Sequence, residues 1–170
     1  MKYLIDPRRG SIEEANLKPG TFTQIYIHLI FAVKYRDRLL NKEIRPEVFK
    51  YISKIITNRN HKPYIVNGVS DHIHILIGYN PNDKIPDLVC NIKRSSSTFI
   101  NEKKLLPGTF HWQGGYGAFS YSKSQVNRVF NYIKNQENHH KRKKFKKEYV
   151  ELLDRFDVGY NKKYLFEFFE

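Results

Sequence analysis

The chain has 170 residues, enough for one domain with its own hydrophobic core. Its 30 Lys and Arg outnumber its 17 Asp and Glu, which gives a formal net charge of +13, and 15% of its residues are aromatic. No apolar run approaches the length of a transmembrane helix, and a single cysteine excludes an intramolecular disulfide, so we expect a cytoplasmic protein without a membrane partner. Charge and aromatic content together favour a nucleic-acid partner, although a basic surface that only maintains solubility has the same composition.

The first predicted strand follows an N-terminal appendage, residues 1–20, and begins a single domain over residues 21–170. The segment TFTQIYIHLIFAVKYR alternates from Thr21 onward, as a strand with two different faces does. One face carries Ile25, Ile27, Leu29, Phe31 and Val33, and the other carries Gln24, Tyr26, His28 and Ile30.

Helical spacing and strand-like alternation of apolar residues take turns along the rest of the chain. The predicted elements are a helix over 42–60, a β-hairpin in YIVNGVSDHIHILIGYN, a helix over 82–104, a glycine-punctuated strand in TFHWQGGYGAFSYS, a helix over 125–140 and a short helix in EYVELLDRF. A capping box of Ser122 with Gln125 marks the start of the third helix.

The order of these elements, βαββαβα, is that of a split βαβ fold. We therefore predict an α+β, ferredoxin-like sandwich with a four-stranded antiparallel sheet, helices on one face and a C-terminal helix that bears a tyrosine. Because helices cover only one face in this arrangement, we expect the other face to be open to solvent or to a partner.

Two histidines, His72 and His74, lie one residue apart in DHIHILIG and share one face of their strand. The isoleucines that alternate with them take the core face. Two neighbouring neutral imidazoles can bind one metal ion, although such a pair is also ordinary on a polar strand face. A histidine-triad hydrolase would need a third histidine at Leu76, and a two-histidine phosphoesterase would need Thr or Ser two residues after each histidine, so neither class fits.

Tyr132 and Gln136 lie one turn apart on the flank of the third predicted helix, outside its apolar stripe. Close to a metal-binding histidine pair, Tyr132 could attack a phosphodiester as nucleophile and Gln136 could act as a third metal ligand. Each residue by itself is equally an ordinary residue of a helix surface. His139 and His140 follow closely and could compete as ligands.

Cationic and aromatic side chains elsewhere are candidate DNA contacts. The basic run KRKKFKK is equally a solvated linker, and stacking by the aromatic candidates is as open as a structural role. The predicted contacts are Lys34, Arg36, Lys93, Arg94, Lys141 and Arg142 for phosphates and Tyr26 and His28 for bases.

Four segments, YIHLIFAVKYR, GVSDHIHILIG, WQGGYGAFSYS and YIKNQENHH, occur in the order of the motifs of the small single-tyrosine HUH transposases of bacterial insertion sequences. The chain resembles this family, which includes the REP-associated tyrosine transposases, from about Thr21 to Phe166. HxH alone is nonspecific, but HxH followed by YIxNQ is a specific combination.

The resemblance implies a transposase that cleaves and rejoins single-stranded DNA marked by hairpins. Mg²⁺ or Mn²⁺ would bind His72, His74 and Gln136, and Tyr132 would form a 5′-phosphotyrosine intermediate. The resemblance also implies a homodimer. Two other functions stay open: a non-catalytic single-stranded DNA- or RNA-binding module with the same fold, and a domesticated transposase that acts on chromosomal palindromic repeats.

Overall fold

The structure, a computed structural model, describes residues 22–34, 40–140 and 144–165. The predictions for residues 1–20 and for Arg36, Lys141 and Arg142 fall outside the described residues.

Four strands and five α-helices make up the described part of the chain. The strands are β1 (Tyr26–Ala32), β2 (Lys62–Gly68), β3 (His72–Gly78) and β4 (Gly117–Tyr121), and the helices are α1 (Arg45–Asn58), α2 (Ile85–Glu102), α3 (Val126–Lys134), α4 (Gln136–His140) and α5 (Phe145–Arg155). A 3₁₀ turn at Lys123–Gln125 leads into α3, with the predicted capping box of Ser122 and Gln125 in place.

The strands form one antiparallel sheet in the order β2-β3-β1-β4. This arrangement confirms the predicted α+β fold, since the ferredoxin-like topology places its first and third strands at the centre. The central pairing joins Ile30 to His74 and Ala32 to His72. It therefore fixes where the histidine pair lies in the middle of the sheet.

The first face of the sheet packs against α1 and α2 and forms the larger hydrophobic core. Alternation along the central strands supplies this face, as the sequence predicts. Its main members are Ile27, Leu29 and Phe31 of β1, Ile73, Ile75 and Ile77 of β3, Ile52 and Ile56 of α1, and Leu88 and Ile92 of α2. Burial of each such side chain contributes about 1.5–3 kcal/mol.

The second face is covered as well, and here the expectation of an open face is wrong. Helix α3 packs Val126, Val129 and Ile133 against Tyr26 and Leu76. Helix α5 covers the β1–β4 side of the same face. Its contacts are Phe145, Tyr149, Leu152 and Leu153 against Ile30, Ala32 and Phe119. The apolar residues on this face of β1 make burial favourable, because exposing them would forfeit their transfer free energy.

The β2–β3 hairpin brings the histidine strand back beside β2 through a tight connection. Gly68 ends β2, and a Cβ atom there would lie 2.3 Å from the carbonyl oxygen of His72. No side chain fits so close to a backbone atom, so glycine is required at this position.

The third predicted helix is interrupted at Asn135, which separates α3 from α4. At the break, Asn67 of β2 donates from Nδ2 to the carbonyl oxygens of Ile133 and Lys134, at 2.7 and 3.2 Å. The last carbonyls of a helix lack the usual intrahelical donors, so this amide helps to satisfy them and ties the end of α3 to β2.

Within the described residues, no helix is long and apolar enough to cross a membrane.

A polar cluster joins the end of α1 to the loop before α2. The Arg59 guanidinium donates twice to the Asp83 carboxylate, from Nε to Oδ2 at 2.8 Å and from Nη2 to Oδ1. His61 Nε2 lies 2.8 Å from Asp83 Oδ2. The hydrogen bonds from Arg59, and further ones from His61 and the Lys84 backbone, hold the pKa of Asp83 well below its usual range.

We expect Asp83→Asn to lower the free energy of unfolding at pH 7 by about 1–3 kcal/mol, because Arg59 loses its charge-assisted partner. Since the folded-state pKa is depressed, this stability is present above the unfolded-state pKa of about 3.9 and disappears as the pH falls towards the depressed value. Urea unfolding curves should show the difference between wild type and variant narrowing below about pH 4. An equal loss at pH 7 in Asp154→Asn, an exposed control on α5, would contradict a role specific to this pair.

Candidate active site

The candidate site lies on the second face of the sheet, beneath α3, α4 and α5. His72 and His74 project there from β3, and both side chains are fully buried. The isoleucines between and after them belong to the core on the opposite face. The histidines therefore lie away from the larger hydrophobic core.

Each histidine of the pair has a partner that orients its ring. His72 Nδ1 lies 2.6 Å from Asp71 Oδ1, and His74 Nδ1 lies 2.9 Å from His28 Nε2. A proton on Nδ1 of each ring satisfies these contacts and leaves a lone pair on each Nε2. Partners of this kind orient metal-binding histidines in proteins.

Burial keeps the imidazoles of His28 and His74 neutral. It lowers the pKa of His28 to about 3. Burial also lowers the pKa of His74 well below its ordinary value, with further contributions from the neighbouring histidines His72, His28, His140 and His139. Neutral imidazole is the form that binds a metal, so His74 is ready for a ligand role at physiological pH.

Tyr132 and Gln136 reach the same place although the helix breaks between them. The Tyr132 ring stands edge-on to the His74 ring, with 5.8 Å between centroids. The Gln136 side chain is fully buried, and its Oε1 atom has no hydrogen-bond partner among the described residues. An amide oxygen left in this way requires a donor or a cation.

An ion pair holds α4 over the sheet. Glu137 accepts from Arg45 Nη1 of α1 at 2.8 Å, and Lys42 Nζ lies 3.2 Å from its other carboxylate oxygen. Together with Asn67, these contacts bring Tyr132 and Gln136 to the histidines of the same chain.

Glu148 of α5 is the site residue that the sequence analysis missed. Its side chain is 3% exposed, and Oε1 accepts a hydrogen bond from the Tyr132 hydroxyl and another from Gln136 Nε2 at 3.1 Å. Burial raises its pKa to about 8, with smaller contributions from the charges of Asp71 and Glu151. A signal exists in the sequence: Glu148 interrupts the apolar stripe of α5, where a charged residue is unusual.

The donor atoms at this place fit a metal ion. One ligand atom each from His72, His74, His140 and Glu148 lie within 4.8 Å of one another. Two ligands on opposite sides of one ion at about 2.1 Å would be about 4 Å apart, so these atoms are close to a coordination sphere. The buried Gln136 Oε1 adds a further donor beside them. The cluster can therefore hold a divalent cation.

An open cleft of about 560 Å³ leads to Tyr132 and Glu148. Arg128 and Arg155 line it, and both side chains are exposed. Neither arginine was among the predicted DNA contacts. Arg128 lies one helical turn before Tyr132 on α3, whereas only the docking of α5 brings Arg155 to the same cleft.

The residues predicted to contact DNA differ in their exposure to solvent. Tyr26 and His28 are buried at 4% and 0% exposure, which is not the placement expected of base-stacking residues. Lys93 Nζ donates to the carbonyl oxygens of Gln113, at 2.7 Å, and Gly115, and burial lowers its pKa to about 8. Its ammonium therefore ties α2 to the loop before β4. Lys34 and Arg94 are exposed, as phosphate contacts must be.

The fold and this site define an α+β domain in which a strand carries a histidine pair and two consecutive helices bring a tyrosine and a glutamine to it. The sequence matches the family described as IS200-like transposases over residues 21–136. The chain belongs to this transposase family.

Individual relatives agree with this family. The ISDra2 transposase TnpA of Deinococcus radiodurans is 26% identical over 122 residues, which cover 69% of this chain and 87% of the relative. A crystal structure assigned as a Deinococcus radiodurans transposase superposes with a TM-score of 0.56 at 26% identity, covering 71% of this chain and 97% of that one. A REP-associated tyrosine transposase, solved bound to a REP hairpin, shares the fold with a TM-score of 0.55 at 12% identity over 74% of each chain.

We expect His28→Ala to weaken Mn²⁺ binding by about 10–100-fold, because His74 loses the partner that orients its ring. Isothermal titration calorimetry of the purified chain measures this, with circular dichroism to verify folding. His111→Ala is the matched control, since His111 is an exposed histidine outside the metal cluster. Unchanged Mn²⁺ affinity in folded His28→Ala would exclude an orienting role.

Proposed function

We propose that this transposase cleaves and rejoins single-stranded DNA through a covalent bond between Tyr132 and a 5′-phosphate. The observation that carries the proposal is the convergence of the Tyr132 hydroxyl, the histidine pair and Gln136 on one buried point. A structural tyrosine would have no need of a metal-type donor cluster beside it. Attack on a phosphodiester needs a nucleophile and, beside it, a group such as a bound cation that stabilises the negative charge developing on the phosphate.

The proposed metal ligands are His72, His74 and Gln136, and the proposed ion is Mg²⁺ or Mn²⁺. When bound, the cation would polarise the scissile phosphate and stabilise the charge that develops on it. The amide oxygen of Gln136 suits either ion, whereas the two imidazoles favour Mn²⁺ over Mg²⁺.

The remaining steps belong to the chain's own residues. The Tyr132 oxygen attacks phosphorus, and the bond from phosphorus to the 3′ oxygen breaks with its electron pair on that oxygen. The 3′ oxygen takes up a proton from solvent, and the products are a 5′-phosphotyrosine and a free 3′-OH. The hydroxyl proton of Tyr132 points at Glu148 Oε1, which is placed to accept it. A 3′-OH reverses the reaction, and because the phosphotyrosine keeps the bond energy, rejoining needs no ATP.

The cleft beside Tyr132 gives the substrate its approach. Arg128 and Arg155 line this cleft, and cationic side chains there can pair with the phosphates on either side of the scissile bond. Lys34 and Arg94 are proposed to contact phosphates farther along the DNA strand. The REP-associated relative was solved with a DNA hairpin, which supports hairpin-marked DNA as the substrate proposed for this chain. We also propose that the protein works as a homodimer.

We expect a labelled single-stranded oligonucleotide with a hairpin, drawn from the DNA that flanks the gene, to form a covalent adduct with the wild-type protein in Mn²⁺. The adduct should survive a denaturing gel and be absent in Tyr132→Phe, which lacks the attacking oxygen. Tyr160→Phe, the loss of a hydroxyl from a tyrosine outside the site, is the control and should keep the adduct. An adduct that persists in Tyr132→Phe would exclude Tyr132 as nucleophile. DNA binding that EDTA leaves unchanged, with no cleavage in any metal, would favour a non-catalytic binding module.

Mixing two inactive variants tests how the site is assembled in a dimer. In this chain Tyr132 contacts the ring of its own His74, so we expect a mixture of His72→Ala and Tyr132→Phe to stay inactive. The adduct assay on the mixture measures this, with each variant mixed with wild type as a control for subunit exchange. Restored adduct formation in the mixture of the two variants would show that Tyr132 completes the site of the partner subunit instead.

A further inference from the structure

We propose that Glu148 is a metal ligand, supplied by α5 from outside the region that the transposase family match covers. The match ends at residue 136, whereas α5 spans Phe145–Arg155. This inference rests on the proposed function, because it adds an anionic ligand to the same metal site. It gives α5 a role beyond covering the sheet.

The packing of α5 fixes where Glu148 must lie. Phe145 stacks on the His72 ring at 3.8 Å between centroids and 11° between planes. Tyr149 and Leu152 pack on the same side, in the apolar cluster with Ile30. Residues three and four apart share a helix face, so Glu148 has to face the histidine pair.

The two carboxylate oxygens of Glu148 face different groups. Oε1 accepts from Tyr132 and Gln136 and lies 3.7 Å from His74 Nε2. Oε2 lies 3.8 Å from His72 Nε2 and 2.8 Å from His140 Nε2. Ligand atoms that share one ion at about 2.1 Å are about 3–4 Å apart, so the contacts with the histidine pair match joint coordination.

A bound cation would stabilise the ionised form of Glu148. A buried carboxylate is costly unless an opposite charge lies beside it. The ion pairs that Glu148 forms within the described residues are all with histidines, and none of them is with a lysine or an arginine. A divalent ion bound by the carboxylate and the histidine pair would supply that charge.

A carboxylate ligand is compatible with the proposed ion, because carboxylates bind both Mg²⁺ and Mn²⁺. Two imidazoles and one carboxylate form a donor set that suits Mn²⁺ and other first-row ions better than Mg²⁺. If one carboxylate oxygen bound the ion, the other could keep the Tyr132 hydroxyl beside it. One residue would thereby fix both the cation and the orientation of the nucleophile.

Isothermal titration of the full chain with MnCl₂, in the absence of DNA, tests the proposal. We expect Glu148→Gln to weaken Mn²⁺ binding at least about tenfold, the loss typical of a residue that supports a metal site. The electron paramagnetic resonance spectrum of the bound Mn²⁺ should change as well. Asp154→Asn, the same loss of charge at an exposed position of the same helix, should bind Mn²⁺ like the wild type. His72→Ala is the positive control for loss of the site.

Mn²⁺ affinity within twofold of wild type in Glu148→Gln, or no Mn²⁺ binding by the wild type, would overturn the proposal. Glu148→Asp replaces Glu148→Gln if the latter does not fold, because it keeps the charge but shortens the side chain. An unchanged Mn²⁺ affinity together with an unchanged electron paramagnetic resonance spectrum in Glu148→Asp would also overturn the proposal. The adduct assay separates this inference from the proposed function. If the wild type forms the adduct and Glu148→Gln binds Mn²⁺ as the wild type does, only the ligand role of Glu148 is excluded. If Mn²⁺ binding depends on Glu148 but the wild type forms no adduct, only the proposed DNA chemistry is excluded.

Discussion

The Glu148 carboxylate, buried among histidines under α5, is the constraint on which the rest of the site depends. A charge in an apolar layer is tolerated only when every donor around it is in place. The ring of His72 stacks on Phe145 of α5, and the hydroxyl of Tyr132 bonds to the carboxylate. The sheet, α3 and α5 therefore meet at this place. Displacing any of the three would leave polar atoms buried without partners.

The break between α3 and α4 is a second constraint with a functional consequence. An uninterrupted helix would fix the positions of Tyr132 and Gln136 relative to each other, one turn apart. In the structure, Asn67 caps the end of α3, and Arg45 holds α4 through Glu137. These contacts fix the two halves separately, so the phenol and the amide can each be directed to the same carboxylate.

Most of the fold could be predicted from the sequence because its signals are local. Alternation placed His72 and His74 opposite the isoleucines of β3, and the structure has them there. The spacing of Tyr132 and Gln136 identified the helix flank that meets them. The prediction of an open face was wrong. The periodicity of α5 shows that this helix has an apolar side, but it does not show which surface that side covers.

The sequence could not predict those contacts that join distant parts of the chain. His28 meets His74 across 46 positions of the chain, and only the β1–β3 register brings them together. The burial of Tyr26 and Lys93 also depends on distant neighbours, which no local pattern identifies. From the sequence, both residues could therefore be taken for surface residues that contact DNA.

The sequence by itself determined the type and order of the elements and the face that each strand residue takes, because φ/ψ preferences and side-chain periodicity are properties of neighbouring residues. Only the tertiary structure decided that α5 closes the second face and delivers Glu148 to the histidine pair. That outcome depends on the docking of whole apolar surfaces, a non-local balance in which the burial of Phe145 and Leu152 outweighs the cost of burying one carboxylate.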